Sequence, residues 1–136
     1  MPNITCLCGE VEIAIGGEPL AHVYCHCDDC QLVHTAAYVP AAIYRNEDIA
    51  VVRGEPREFR LRVTPRLSCP NCGTRLLSQG SERYSGVSAN LLPAGSFRPV
   101  MHIHCKFAVL PVKDDLPHYA TVPERWGGSD DQVDWG

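Results

Sequence analysis

The sequence predicts a mainly β fold of short strands drawn together by metal-binding cysteines. Three observations predict it. Apolar and polar residues alternate with a period of two over several short segments, and proline and glycine interrupt these segments at close intervals. No stretch carries the 3.6-residue periodicity of a long amphipathic helix. The eight cysteines fall into two pairs, one triplet and a single residue.

In chain order, Val11, Ile13 and Ile15 alternate with Glu10, Glu12 and Ala14, the pattern of a half-buried strand. Gly16-Gly17 then turns the chain. The apolar run Leu20 to Tyr24 leads into Cys25-His26-Cys27-Asp28-Asp29-Cys30, so the triplet is expected on a loop where a strand ends. Thr35 to Val39 and Ile49 to Val52 are rich in β-branched and aromatic residues and read as short strands, punctuated by Pro40, Asn46 and Gly54-Glu55-Pro56. Phe59, Leu61 and Val63 alternate with Arg60 and Arg62, a strand with one basic face, ended by Thr64-Pro65. Leu76-Leu77 follows the second cysteine pair. Tyr84 to Leu92 and Pro99 to Val112 are two further candidate strands, separated by Pro93-Ala94-Gly95. Residues 1–122 read as one domain, and 123–136, with Gly127-Gly128-Ser129-Asp130-Asp131, as a mobile tail. Trp126 and Trp135 give that tail the means to dock on the domain or on a second subunit.

A chain of 136 residues with 45% hydrophobic content is enough for one ordinary core. A net charge of -4 supplies no broad basic field for phosphate backbones, so nucleic acid is not an expected partner. No apolar run approaches the roughly 20 residues of a membrane span. Met1-Pro2-Asn3-Ile4-Thr5 has no basic segment leading into an apolar one, which makes a cytoplasmic location the expectation. In a reducing compartment clustered cysteines serve metals or catalysis rather than disulfides.

Cys69-Pro70-Asn71-Cys72-Gly73 is a metal knuckle, in which a tight turn converges two sulfurs and glycine accepts positive φ just beyond the second. Cys6-Leu7-Cys8-Gly9 has a shorter spacing and the same trailing glycine. Together the pairs make a four-thiolate site for structural zinc, although iron would suit the same sulfurs. Cys25, Cys27 and Cys30 are one ligand short of a closed cage. They read as a second zinc site with an open position, or as a structural site closed by a histidine or by Cys105. Zinc held by three thiolates is a weak Lewis acid toward water yet captures an incoming thiol, which favours thiol substrates over hydrolysis. His26, between two ligands, reads as a local hydrogen-bonding or exposed residue. His102-Ile103-His104 would set two imidazoles on one strand face. Asp28 and Asp29 read as solvating the loop, with proton transfer as the minor alternative.

These motifs, in this order, resemble the glutathione-dependent formaldehyde-activating enzyme family, which also contains centromere protein V. The resemblance covers residues 4 to 123 and extends to Gly54-Glu55-Pro56, Leu91 to Pro93 and His102-Ile103. It implies a zinc-stapled β-tent fold of short antiparallel strands and two zinc ions per chain. Cys6, Cys8, Cys69 and Cys72 would hold the structural ion, and Cys25, Cys27 and Cys30 the one associated with catalysis. The implied reaction joins glutathione to formaldehyde as S-(hydroxymethyl)glutathione, a carbon-sulfur lyase activity, with a small thiol such as glutathione as partner. Arg60, Arg62 and Arg66 are candidate contacts for its carboxylates, against the reading of a solvated basic strand face. The contrasting function is a non-catalytic zinc-stapled interaction module with two structural sites. The sequence departs from the family pattern at Gln31, where arginine is frequent, at His34-Thr35, where a small residue and glycine are frequent, and at Leu67 and Leu92.

Overall fold

The structure is a computed structural model that describes residues 3–62 and 64–136. Among these residues the chain runs through β1 (Asn3–Thr5), β2 (Glu12–Ile15), β3 (Ala21–Cys25), α1 (Asp28–His34), β4 (Val39–Arg45), β5 (Ile49–Arg53) and β6 (Arg57–Leu61). It continues through β7 (Thr64–Ser68), β8 (Arg75–Ser78), β9 (Tyr84–Ser88) and β10 (Met101–Ile103). The strands form one sheet of three and one of seven, so the fold is mainly β. No helix among the described residues is long and apolar enough to cross a membrane. The chain divides into two compact units, one running up to Ala21 and resuming over Ala42–Phe97, the other built from His22–Ala41 and Arg98–Gly136.

In the first unit, β2 pairs antiparallel with β1 and with β5. The alternation read from the sequence is the buried face of that sheet: Val11, Ile13 and Ile15 are no more than 1% exposed, and Ile4 joins them from β1. Tyr44, Leu76 and Val87 complete the core. Strands β9, β8, β7 and β6 lie side by side in that order. The basic strand expected over 59–63 stops at Leu61, because Arg62 turns the chain at φ 59°. Val63 lies outside the described residues. Thr64-Pro65, expected to end a strand, begins β7. Proline brings no N–H to the ladder, but the Pro65 carbonyl accepts the Gln79 N–H.

In the second unit, β10 runs parallel to β3, with His102 opposite Tyr24 and Ile103 opposite Cys25. This pair departs from the antiparallel expectation, and a long connection is what allows it. The long strand expected over 99–112 is three residues. His104 takes φ 56°, in the left-handed region, and turns the chain into a 3-10 segment over Cys105–Phe107. The strand expected over 35–39 begins only at Val39, since Thr35 caps α1 in the left-handed conformation. Tyr84 to Leu92 is strand as far as Ser88 and a 3-10 turn after it. Beyond Pro123 the backbone bonds to the preceding segment, Val133 N–H to the His118 carbonyl and Ala120 N–H to the Asp131 carbonyl. Trp135 packs edge-on against His26 at 5.2 Å between ring centroids.

Candidate metal centres

The first cluster forms where two turns of the first unit meet. Cys6 and Cys8 follow β1, and Cys69 and Cys72 lie in the connection from β7 to β8. Gly9 and Gly73, each just past the second thiol of its pair, take φ 81° and 78°, the conformation the sequence demanded of glycine there. Backbone donors point at the sulfurs, Val11 N–H at Cys6 Sγ over 3.3 Å and Cys72 N–H at Cys69 Sγ over 3.4 Å. Thr74 ties the two turns together, since its Oγ1 accepts the Leu7 N–H at 3.1 Å and lies 3.1 Å from Cys72 Sγ. That hydroxyl, followed by the Thr74 backbone, pulls the Cys72 thiol down to about 5.

Four sulfurs at about 2.3 Å from one tetrahedral ion lie about 3.8 Å apart. Here Cys6 and Cys8 are 3.5 Å apart and Cys8 and Cys69 are 3.7 Å apart, with all four sulfurs within 4.8 Å of one another. The set therefore fits a closed four-thiolate ion.

The second cluster is built by a strand end and a helix start. Cys25 closes β3, Cys27 is the N-cap of α1, and Cys30 stands in its first turn. The Cys27 sulfur accepts the Cys30 N–H at 3.2 Å, doing the work of a capping oxygen. Cys30 Sγ lies 3.5 Å from Cys25 Sγ, and the three sulfurs sit within 4.8 Å of one another. The side chains of Cys25 and Cys30 bond to Cys27 and hold its thiol far below the ordinary range, while the bonds of Cys25 to Cys27 and Cys30, and then its burial, push the Cys25 thiol well above it. Even without an ion the triplet is thus poised to carry negative charge on Cys27. Its spacing also suits a metal ion, with three donors.

No fourth protein ligand joins the triplet among the described residues. Cys105 stands outside it, buried, with its N–H bonded to the Tyr119 carbonyl. Burial and the nearby Asp114 push its thiol up to about 12, so it behaves as a small apolar side chain. His26 also stands outside the cluster. It is fully buried rather than exposed, and its Nε2 is 2.9 Å from His102 Nδ1. His102 and His104 do not share a strand face, because the left-handed turn at His104 breaks the alternation. His104 instead interacts electrostatically with Cys27 and Asp28, and burial depresses its basicity.

Asp28 and Asp29 lie in the first turn of α1, favourable for its dipole, and Asp28 Oδ1 accepts the Asp29 N–H. Gln31, where the family pattern has arginine, is a tie: its amide donates to the His26 carbonyl at 2.8 Å and the Phe107 carbonyl at 2.9 Å. In the first unit, Arg60 pairs with Glu58 at 3.6 Å, and Arg66 is only 5% exposed with its Nε unpartnered, so it does not stand on a solvated face.

A family model described as glutathione-dependent formaldehyde-activating enzyme matches residues 1–107. The chain belongs to the glutathione-dependent formaldehyde-activating enzyme family. Both cysteine clusters lie inside the matched span, as does β10. A crystal structure of a Rhodobacter sphaeroides protein is 28% identical, with a TM-score of 0.54, covering 68% of this chain and 89% of that one. No curated protein matches significantly. For a formaldehyde-activating family member the matched span makes a glutathione-related substrate the family expectation, and the two cysteine clusters are the places able to hold metal.

Proposed function

We propose that the protein is a zinc-dependent carbon-sulfur lyase acting on a small thiol adduct, of the kind that joins glutathione to formaldehyde. The observation that carries this reading is the ligand count. Cys6, Cys8, Cys69 and Cys72 make a complete set, whereas Cys25, Cys27 and Cys30 stop at three. The reading assigns zinc to both sites, two ions per chain. Zinc at the triplet would supply a position where an incoming thiol is held as thiolate.

The remaining steps fall to the chain's own residues. Joining a thiol to formaldehyde forms one carbon-sulfur bond, converts the carbonyl to a hydroxyl, and needs no oxidant or reductant. One proton leaves the thiol and one reaches the carbonyl oxygen. His104 is the residue suited to carry it: it is coupled electrostatically to Cys27, and burial keeps its imidazole neutral, able to accept a proton and return it. Gln31 holds the start of α1 to the His26 and Phe107 carbonyls, so the triplet and the segment that follows His104 keep their spacing.

A second reading, a zinc-stapled interaction module, has one observation in its favour. Leu32, Val109 and Leu110 of the second unit are 63%, 68% and 53% exposed. Exchange NMR on carbon-13 formaldehyde and glutathione separates the two. The lyase reading expects the zinc-loaded protein to accelerate formation of the hydroxymethyl adduct above the spontaneous rate, and His104→Ala to lose most of that acceleration while keeping its metals. No acceleration, together with no calorimetric heat at millimolar glutathione, would leave the module reading in its place.

A further inference from the structure

A third constellation of metal-binding type lies in the second unit, on residues that neither cysteine cluster uses. His102 Nε2 is 2.8 Å from Asp114 Oδ2, and His118 Nε2 is 3.0 Å from Asp114 Oδ1. One carboxylate therefore sits between two imidazole nitrogens, and one donor atom from each of the three residues lies within 4.8 Å of the others. The backbone sets this arrangement before the side chains do. His102 and His118 are partners in a parallel bridge, with His102 N–H bonded to the Pro117 carbonyl and Tyr119 N–H to the His102 carbonyl.

The surroundings favour an ion over a plain hydrogen-bond network. His102 is fully buried, the His118 side chain is 12% exposed and Asp114 is 30% exposed, so the cluster is largely dehydrated and opens to water on the carboxylate side. Trp135 covers it, with ring centroids 4.6 Å from His118 and 5.7 Å from His102. The second nitrogen of His102 meets His26 Nε2 at 2.9 Å, the outer hydrogen bond that a metal-ligating imidazole almost always makes.

We propose that His102, Asp114 and His118 bind a third divalent ion, one of the first-row transition metals that two imidazoles and a carboxylate suit. When the ion binds, the proton on His102 Nε2 gives way to a lone pair directed at the metal. His102 then carries its proton on Nδ1 and donates it to His26. The ion pins residues 109–123, which form no helix or strand of their own, onto β10. It also reaches the cysteine triplet, since His26 stands between Cys25 and Cys27. The site does not depend on the lyase activity.

The test is cobalt titration of the full-length, reduced, metal-free protein, with metal counted by elemental analysis. Three cobalt ions per chain are expected. Two should show intense near-ultraviolet thiolate-to-cobalt bands, and the third only the weaker visible bands of a nitrogen and oxygen site. His118→Ala and Asp114→Asn should each weaken the third ion at least 100-fold and leave the thiolate bands unchanged, and His26→Gln should weaken it about 10- to 100-fold. Saturation at two ions, both with thiolate bands, overturns the proposal whether or not the variants fold. So does a third ion whose affinity neither variant changes.

Discussion

Replacing both thiols of one turn tests the division of labour between the cysteine clusters. The clustered sulfurs Cys8 and Cys69 are 61 residues apart in sequence, whereas Cys25 and Cys30 are five apart. An ion shared by distant segments removes loop-closure entropy from the unfolded chain, and that entropy grows as the three-halves power of loop length. The ratio of 61 to 5 raised to that power is about 40, so breaking the long closure should shift the folding equilibrium about 40-fold further than breaking the short one. For 136 residues this corresponds to about 8 °C in Tm. Cys27→Ser/Cys30→Ser also preserves a capping side chain at the start of α1, since serine is a preferred N-cap. Thermal unfolding of zinc-loaded wild type, Cys69→Ser/Cys72→Ser and Cys27→Ser/Cys30→Ser by circular dichroism measures the difference. The cysteine pairs should cost at least 8 °C more than the triplet, and each double variant should lose one zinc. Equal losses of Tm would refute the reasoning and make both sites structural.

Cys105→Ala should retain both ions of the cysteine clusters in elemental analysis, because the thiol is buried outside them. The metal-free, reduced protein should lose stability between pH 6.5 and pH 4. His26 is held down to about 4 from 6.5, by burial first and then by His102 and His118, so the unfolded chain takes up a proton that the folded one refuses. The His26 contribution is complete above pH 6.5 and falls by roughly two decades in the folding equilibrium toward pH 4. His22 and His104 push in the same direction. Denaturant titration should show this slope, flattened in His26→Gln. Thr35→Gly should raise stability by about 1 kcal/mol: a β-branched residue at φ 47° is strained, and relief of that strain exceeds the entropy glycine adds to the unfolded chain. The same titration checks it, and a loss of stability would show that the threonine side chain contributes more than its conformation costs.

The sequence alone determined the β character, the core face of β2 and the composition of both cysteine clusters. Each is written in local spacing. Period-two alternation puts Val11, Ile13 and Ile15 on one side of a strand whatever the strand pairs with. A turn short enough to bring two thiols together, closed by Gly9 or Gly73, works the same way in any fold. The boundaries that failed were those a distant contact sets. Helix α1 spans seven residues, too few to show a helical period, and depends on the Cys27 cap and on the Gln31 tie to Phe107, 76 residues away. The stretch from Pro99 to Val112 has the composition of a strand, yet only Met101–Ile103 finds a partner before His104 turns away.

Only the tertiary structure decided what lies around the thiols. It set Cys105 outside the triplet, leaving three clustered thiols, and it buried His26 against a histidine 76 positions further along the chain. Asp114 and His118 have no spacing that marks them as ligands of anything. They meet His102 because a backbone bridge holds His118 beside it, and hydrogen bonds between segments far apart in sequence leave no period for a sequence to display.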